Sequence, residues 1–354
     1  MKSNAAPDEH NSTRRRGKGA RGASAAPRPT TMNRVLLKKC LVEARLLFAA
    51  TALLLFAFCW LRVFIVSRLQ MSQFATIIEQ VWDQFGKFWP VPLAQLLSYT
   101  GRIAVAYDEP LVVFGVSLFA IARGSDAVSG ELGRGTLEML LAQPVSRVQV
   151  LLTQAAVTVG CLALICTLSL AGTTAGIYTT RVKEVPPPPT LRVPGLGVEI
   201  PLAIGKREPV RVPMRERTRP AYFVPGALNL FCLGVAVAGF STLVSSLDRY
   251  RWRTIGIVVA FYVLNVVLKL VGRAIEDVAW LSRLSLFTAY EPQVFISLAV
   301  HQPHDAWALF LRDASGELQS LGPLGCNLVL LAVGGVSYAA ACVAFARRDL
   351  PAPL

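Results

Sequence analysis

The chain has 354 residues, a net charge of +14, 53% hydrophobic residues and a mean hydropathy of +0.49. A soluble chain of this length would divide into roughly two or three domains, but here the apolar residues come in blocks long enough to cross a bilayer core, which excludes that class. The excess of Lys and Arg is read through membrane topology and anionic lipid, not nucleic acid.

Residues 1–31 are rich in Arg, Ala, Gly, Ser and Pro without apolar periodicity, and a disordered basic tail is expected. No apolar core follows Arg14–Arg16, so this is not a secretory signal; Met32 is an alternative start, because MNRVLLKK opens the patterned region. Over 35–45, apolar and charged residues alternate at helical spacing, which predicts an interfacial helix with Lys38 and Lys39 at the headgroups. Span one follows at 46–66, about 30 Å as a helix. The outer loop 67–105 carries Phe74, Ile77, Ile78, Val81, Trp82, Phe85 and Phe88 at spacings of three and four, an amphipathic helix for the outer interface. Asp108, Glu109 and Pro110 then start span two, at about 106–125. This span is near the short limit for crossing a bilayer.

Span three is read at 148–178, where Gly172 and Gly176 form one GxxxG, a site of close helix approach and a candidate dimer seam. The loop 179–221 is rich in proline and cannot cross lipid with its backbone unpaired, so an extended or β-containing excursion outside is expected. Span four, 222–247, contains Asn229 and ends on STLVSS; DRYRWR makes a basic turn; span five, 254–271, carries Asn265 and Lys269. The outer loop 272–322 includes LSLFTAYEPQ and a turn at 313–316, and span six is 323–346. The seven cysteines lie in or beside spans, without disulfide or metal spacing, and read as small packing residues.

Between spans two and three, GELGRGTLEMLLAQPVSR is too polar for lipid and too patterned for a slack loop. Leu132, Leu137, Leu140 and Leu141 lie mostly at helical spacings, Glu131, Arg134 and Glu138 share a face, and Pro144 ends the element. This stretch resembles the coupling segment of the type-2 exporter permeases of ABC transporters, with an acidic residue, a Gly-Thr-Leu core and a Pro-Val-Ser-Arg exit in that order. FSTLVSSLDRYRWRTIG resembles the family's junction between spans four and five, LSLFTAYEPQ its last outer loop and FARRDLPAP its C-terminal ending, so the resemblance covers most of the chain after about Val35.

The resemblance implies an all-α integral membrane protein, a six-span permease domain over 32–354, with a cytoplasmic coupling helix. It implies a separate ABC ATPase, which binds the ATP, and a second permease protomer, a homodimer being the expected form. In that reading Gly135, Thr136 and Leu137 form the contact core, Glu131 and Glu138 pair with basic residues of the ATPase, and Arg134 and Arg147 anchor the helix to lipid or partner. Pro144 closes the segment. Both termini and DRYRWR then lie on the cytoplasmic side of the plasma or inner membrane, which collects most short-loop Lys and Arg. The excursion 179–221 departs from that rule, with nine basic and four acidic residues facing outward.

The chain has no GxxxxGK[ST] loop, HEXXH or GxSxG, which excludes the nucleotide-binding and hydrolytic chemistries those motifs carry. His301 and His304 have no third ligand in view, so no metal, cofactor or catalytic residue is assigned. An alternative function is an ABC-linked membrane anchor or maturation factor that recruits an extracytoplasmic partner through its long outer loops. The sparse charges within spans point weakly to a lipidic or amphipathic cargo.

Overall fold

The computed structural model describes residues 34–69, 91–141, 145–184, 190–192, 199–201, 209–312 and 317–348. The N-terminal tail, the aromatic stripe from Phe74 to Phe88, Pro144, the turn at 313–316 and the side chain of Glu138 lie outside the described set. Among the described residues, six helical runs are long and apolar enough to cross a membrane: Arg34–Arg68, Tyr99–Gly133, Arg147–Thr179, Pro220–Leu247, Arg251–Ala274 and Pro323–Arg347. The membrane part is therefore all-helical, as backbone satisfaction in lipid demands.

Helix α1, Arg34–Arg68, is continuous, so the expected interfacial helix and span one are a single element without a break. Leu36, Cys40, Ala44, Leu55, Cys59 and Val63 are buried along one stripe, and the register of that stripe carries through both segments. Span two is also longer than 106–125. A short helix, Tyr99–Ala104, and one 3-10 turn, Val105–Tyr107, precede α2, Pro110–Ser125, and the helical run then continues to Gly133. Residues 126–133, expected outside the bilayer core, are thus helical and continuous with span two.

After the short α3, Thr136–Leu141, comes α4, Arg147–Thr179, which packs along α1. The GxxxG is consumed inside this chain. A Cβ on Gly172 would meet the Phe56 carbonyl oxygen at 2.3 Å, and one on Gly176 would meet Val63 Cβ at 2.6 Å. These glycines let two spans of one protomer approach closely, and that role replaces the candidate dimer seam.

Helix α5, Val224–Leu247, is apolar nearly all round and is the enclosed centre of the bundle, touching α2, α4, α6 (Arg251–Ala274), α7 (Pro292–His301) and α8 (Pro323–Arg347). Helix α6 buries only a stripe, Thr254, Val258, Tyr262 and Asn265, and leaves Val263, Leu264, Val267 and Leu270 about half exposed or more to the surroundings.

The excursion after α4 contains two antiparallel pairs, β1 (Arg181–Glu184) with β4 (Val210–Pro213), and β2 (Thr190–Arg192) with β3 (Glu199–Pro201). A third pair, β5 (Phe310–Arg312) with β6 (Leu318–Leu321), lies in the last long loop. That loop is latched to the spans by the polar residues they carry. Lys269 donates to the carbonyls of Phe287 at 2.7 Å and Tyr290 at 2.8 Å. Asn229 donates to the Ala289 carbonyl at 3.0 Å and accepts from the Glu291 amide at 3.1 Å. Asn265 accepts from the Leu286 amide at 2.9 Å. LSLFTAYEPQ is therefore a cap over one end of the bundle.

Candidate functional site

At the other end of the bundle, α2 runs into a π turn, Asp126–Gly130. A π turn takes one residue more than an α turn and leaves amides out of register. Ser245, on the inward face of α5, takes up that mismatch. Its Oγ accepts from the amides of Val128 at 3.2 Å and Ser129 at 2.9 Å and donates to the Ser125 carbonyl at 3.0 Å. Ser129 Oγ donates to the same carbonyl at 2.7 Å and lies 3.2 Å from Thr254 Oγ1 of α6. Ser245 of STLVSS thus holds a helix irregularity of span two, a role the sequence did not announce.

In a π turn, residues five apart stack, and Asp126 and Glu131 come to share one guanidinium. Arg134 Nη1 lies 2.7 Å from Asp126 Oδ1, and its Nη2 lies 3.3 Å from Glu131 Oε1. Lys39 of α1 reaches Glu131 at 2.7 Å and Glu43 at 3.3 Å, while Asp126 is also reached by Arg251 of α6 at 3.3 Å and by Arg123 at 3.8 Å. Four cations (Lys39, Arg123, Arg134, Arg251) thus meet three carboxylates (Glu43, Asp126, Glu131) contributed by α1, the span-two run and α6. Glu131 is fully buried and Asp126 nearly so; buried carboxylates persist only when paired and hydrogen-bonded in this way. A Cβ on Gly130 would lie 2.2 Å from Asp126 Oδ1, so a side chain there would push the carboxylate out of its present position.

The helical run ends at Gly135, whose φ of +69° is the left-handed value that a glycine adopts without steric penalty. Thr136 donates its hydroxyl to the Glu131 carboxylate, which joins α3 to the clasp. Leu137 is buried among Val128, Leu151, Ala341 and Phe345, so α3 is seated on α4 and α8. Arg147 donates to the Arg348 carbonyl at 2.5 Å, and Arg348 donates to the carbonyls of Ser246 at 2.9 Å and Asp248 at 3.0 Å. These bonds tie α4, α5 and α8 together below α3.

The expected roles therefore need correcting. Glu131 is fully buried in this chain and bound by Lys39, Arg134 and Thr136, so it is not presented at the surface to outside cations. Leu137 faces the protein core, and Arg147 holds the C-terminal turn, not lipid. Exposed at this end, among the described residues, are Gly133, Arg134, Gly135 and Met139, the last 74% exposed, together with Tyr250 and Trp252 of the basic turn. Asp126, Lys39 and Arg251 were missed as site residues. An Asp immediately beyond an apolar run, with Arg at three before it and eight after, was the available signal, but its meaning depends on the π turn.

A family model described as "ABC-2 family transporter protein" matches residues 39–350. No curated protein matches the chain.

Proposed function

The chain belongs to the ABC-2 family of transporter proteins and is a multi-pass membrane permease subunit of that type, and from this we propose that a separate ABC ATPase drives it through the segment 131–147. The family implies the ATPase partner. The observation that carries the coupling reading is the clasp on Glu131 and Asp126, which joins the segment to α1, α2 and α6 through charge-assisted bonds and to α4 and α8 through Leu137. A push on α3 then displaces spans through the Thr136 bond to Glu131 and the seat of Leu137 on α4 and α8.

In this reading the partner contacts Arg134, Gly135, Met139 and Glu138, and the buried Glu131, Thr136 and Leu137 transmit the load. ATP-driven closure of the ATPase shifts the bundle between two access states, which needs an ATPase contact at α3 that differs between them. The end bearing the clasp faces the cytoplasm, as supported by Lys39, Arg134, Arg147, Arg249, Arg251, Arg253, Arg347 and Arg348 gathered there. A second protomer completes the translocation path, and an amphipathic cargo suits the apolar spans.

Cross-linking tests the docking surface. With Met139→Cys, an ATPase carrying a maleimide at its permease-facing groove is captured in membranes, whereas Leu318→Cys in the last long loop, equally exposed, captures none. Absence of a Met139→Cys product, or equal capture at both positions, overturns the assignment.

A further inference from the structure

Where α1 and α4 end, beyond the membrane stripe and opposite the clasp, a cavity of about 500 Å³ opens beneath the β1–β4 pair. That volume falls within the roughly 300–1,000 Å³ of small-ligand sites. One wall is a ladder on α1 in which Trp60 stacks on Phe64 with centroids 5.9 Å apart, and the Arg68 guanidinium lies 4.9 Å over the Phe64 ring. Trp60 is fixed by donating its indole N–H to Thr179 Oγ1 at 3.1 Å. The facing wall is one side of the strand pair. Alternation sends Val182 inward to the core and Arg181 and Lys183 to the cavity, and Arg211 lies directly across from Lys183 in the register.

Like charges set opposite each other on one sheet face repel, and among the described residues no carboxylate lies within ion-pair distance of Arg68, Arg181, Lys183 or Arg211. Three neighbouring cations at this end are matched. Arg62 pairs with Glu109 at 2.8 Å, Arg273 with Glu291, and Arg217 with Glu184 on the opposite face of the same pair. The four unmatched cations therefore converge on one space with an aromatic wall.

We infer that this cavity binds the phosphate of an anionic amphiphile, with the four cations on the phosphate and the Trp60–Phe64 ladder along its apolar part. A phosphate between Lys183 and Arg211 turns their repulsion into two charge-assisted contacts. The rings at the end of two spans match the depth at which a lipid's headgroup meets its chains. This site also gives a role to three of the nine basic residues in 179–221, Arg181, Lys183 and Arg211. The inference does not depend on how ATP is coupled.

The test titrates the detergent-solubilised full chain with short-chain phosphatidylglycerol, short-chain phosphatidylcholine and glycerol 3-phosphate. Phosphatidylglycerol is expected to bind about tenfold or more tighter than the other two and to weaken with salt. Lys183→Gln with Arg211→Gln is expected to remove about tenfold of that affinity, while Arg217→Gln, on the opposite face, leaves it unchanged. Arg68→Gln, at an exposed helix end, gives a second reading of the same loss if the double variant fails to fold. Glycerol 3-phosphate binding as tightly, with the same sensitivity to Lys183 and Arg211, supports the phosphate site and assigns it to a soluble ligand. Equal binding of phosphatidylcholine, or phosphatidylglycerol affinity unmoved by the substitutions, overturns the proposal.

Discussion

Glu131 has no contact with water, and its charge is held by Lys39, Arg134 and the Thr136 hydroxyl. Glu131→Ala would take one of two carboxylates from each of Lys39 and Arg134, but Lys39 keeps Glu43, Arg134 keeps Asp126, and both reach solvent, with side chains 30% and 42% exposed, so the loss stays below that of a fully enclosed pair. The expected destabilisation is about 1.5–3 kcal/mol, read as a lower melting temperature in detergent, with Glu131→Gln milder because the amide keeps an acceptor for Lys39. The sequence made Glu131 visible as an acid on a helix face but not its burial. An α-helical wheel turns Glu131 some 140° away from Asp126, whereas the π turn brings both onto Arg134.

At the scale of elements, apolar run length located every span, because a bilayer leaves little choice of length or conformation. The ends of the runs were less legible. Span two looked short because residues 126–133 carry charge, yet that charge is internally paired and the helix continues through it. The α1–α4 crossing is the tightest approach that the glycine pattern announced. Gly172→Val should force the helices apart at Phe56 and destabilise the fold by about 1–3 kcal/mol in the same melting experiment. If Gly172 instead served a seam between protomers, the variant would melt normally and change only the oligomeric state.

Across the whole molecule, the two ends are built differently, one as a charge clasp under α3, the other as a polar cap over Lys269 and Asn229 with a basic cavity beside it. Cysteine labelling fixes which end is which. In intact cells a membrane-impermeant maleimide should label Val210→Cys and not Ser146→Cys, both exposed and at opposite ends of α4 and its excursion; the reverse pattern would invert the topology. Loop charge carries the expectation for the clasp end, whereas three basic residues of the excursion, Arg181, Lys183 and Arg211, line a cavity formed where a strand pair meets the end of α1, which the sequence alone does not announce. The π turn has one further consequence. A single extra residue at 126–130 sets everything after it about 100° and 1.5 Å out of phase with α2. The segment proposed to meet the ATPase therefore stands one notch away from an ordinary helix. Moving that notch along span two would transmit a discrete step, of one residue, instead of a graded tilt.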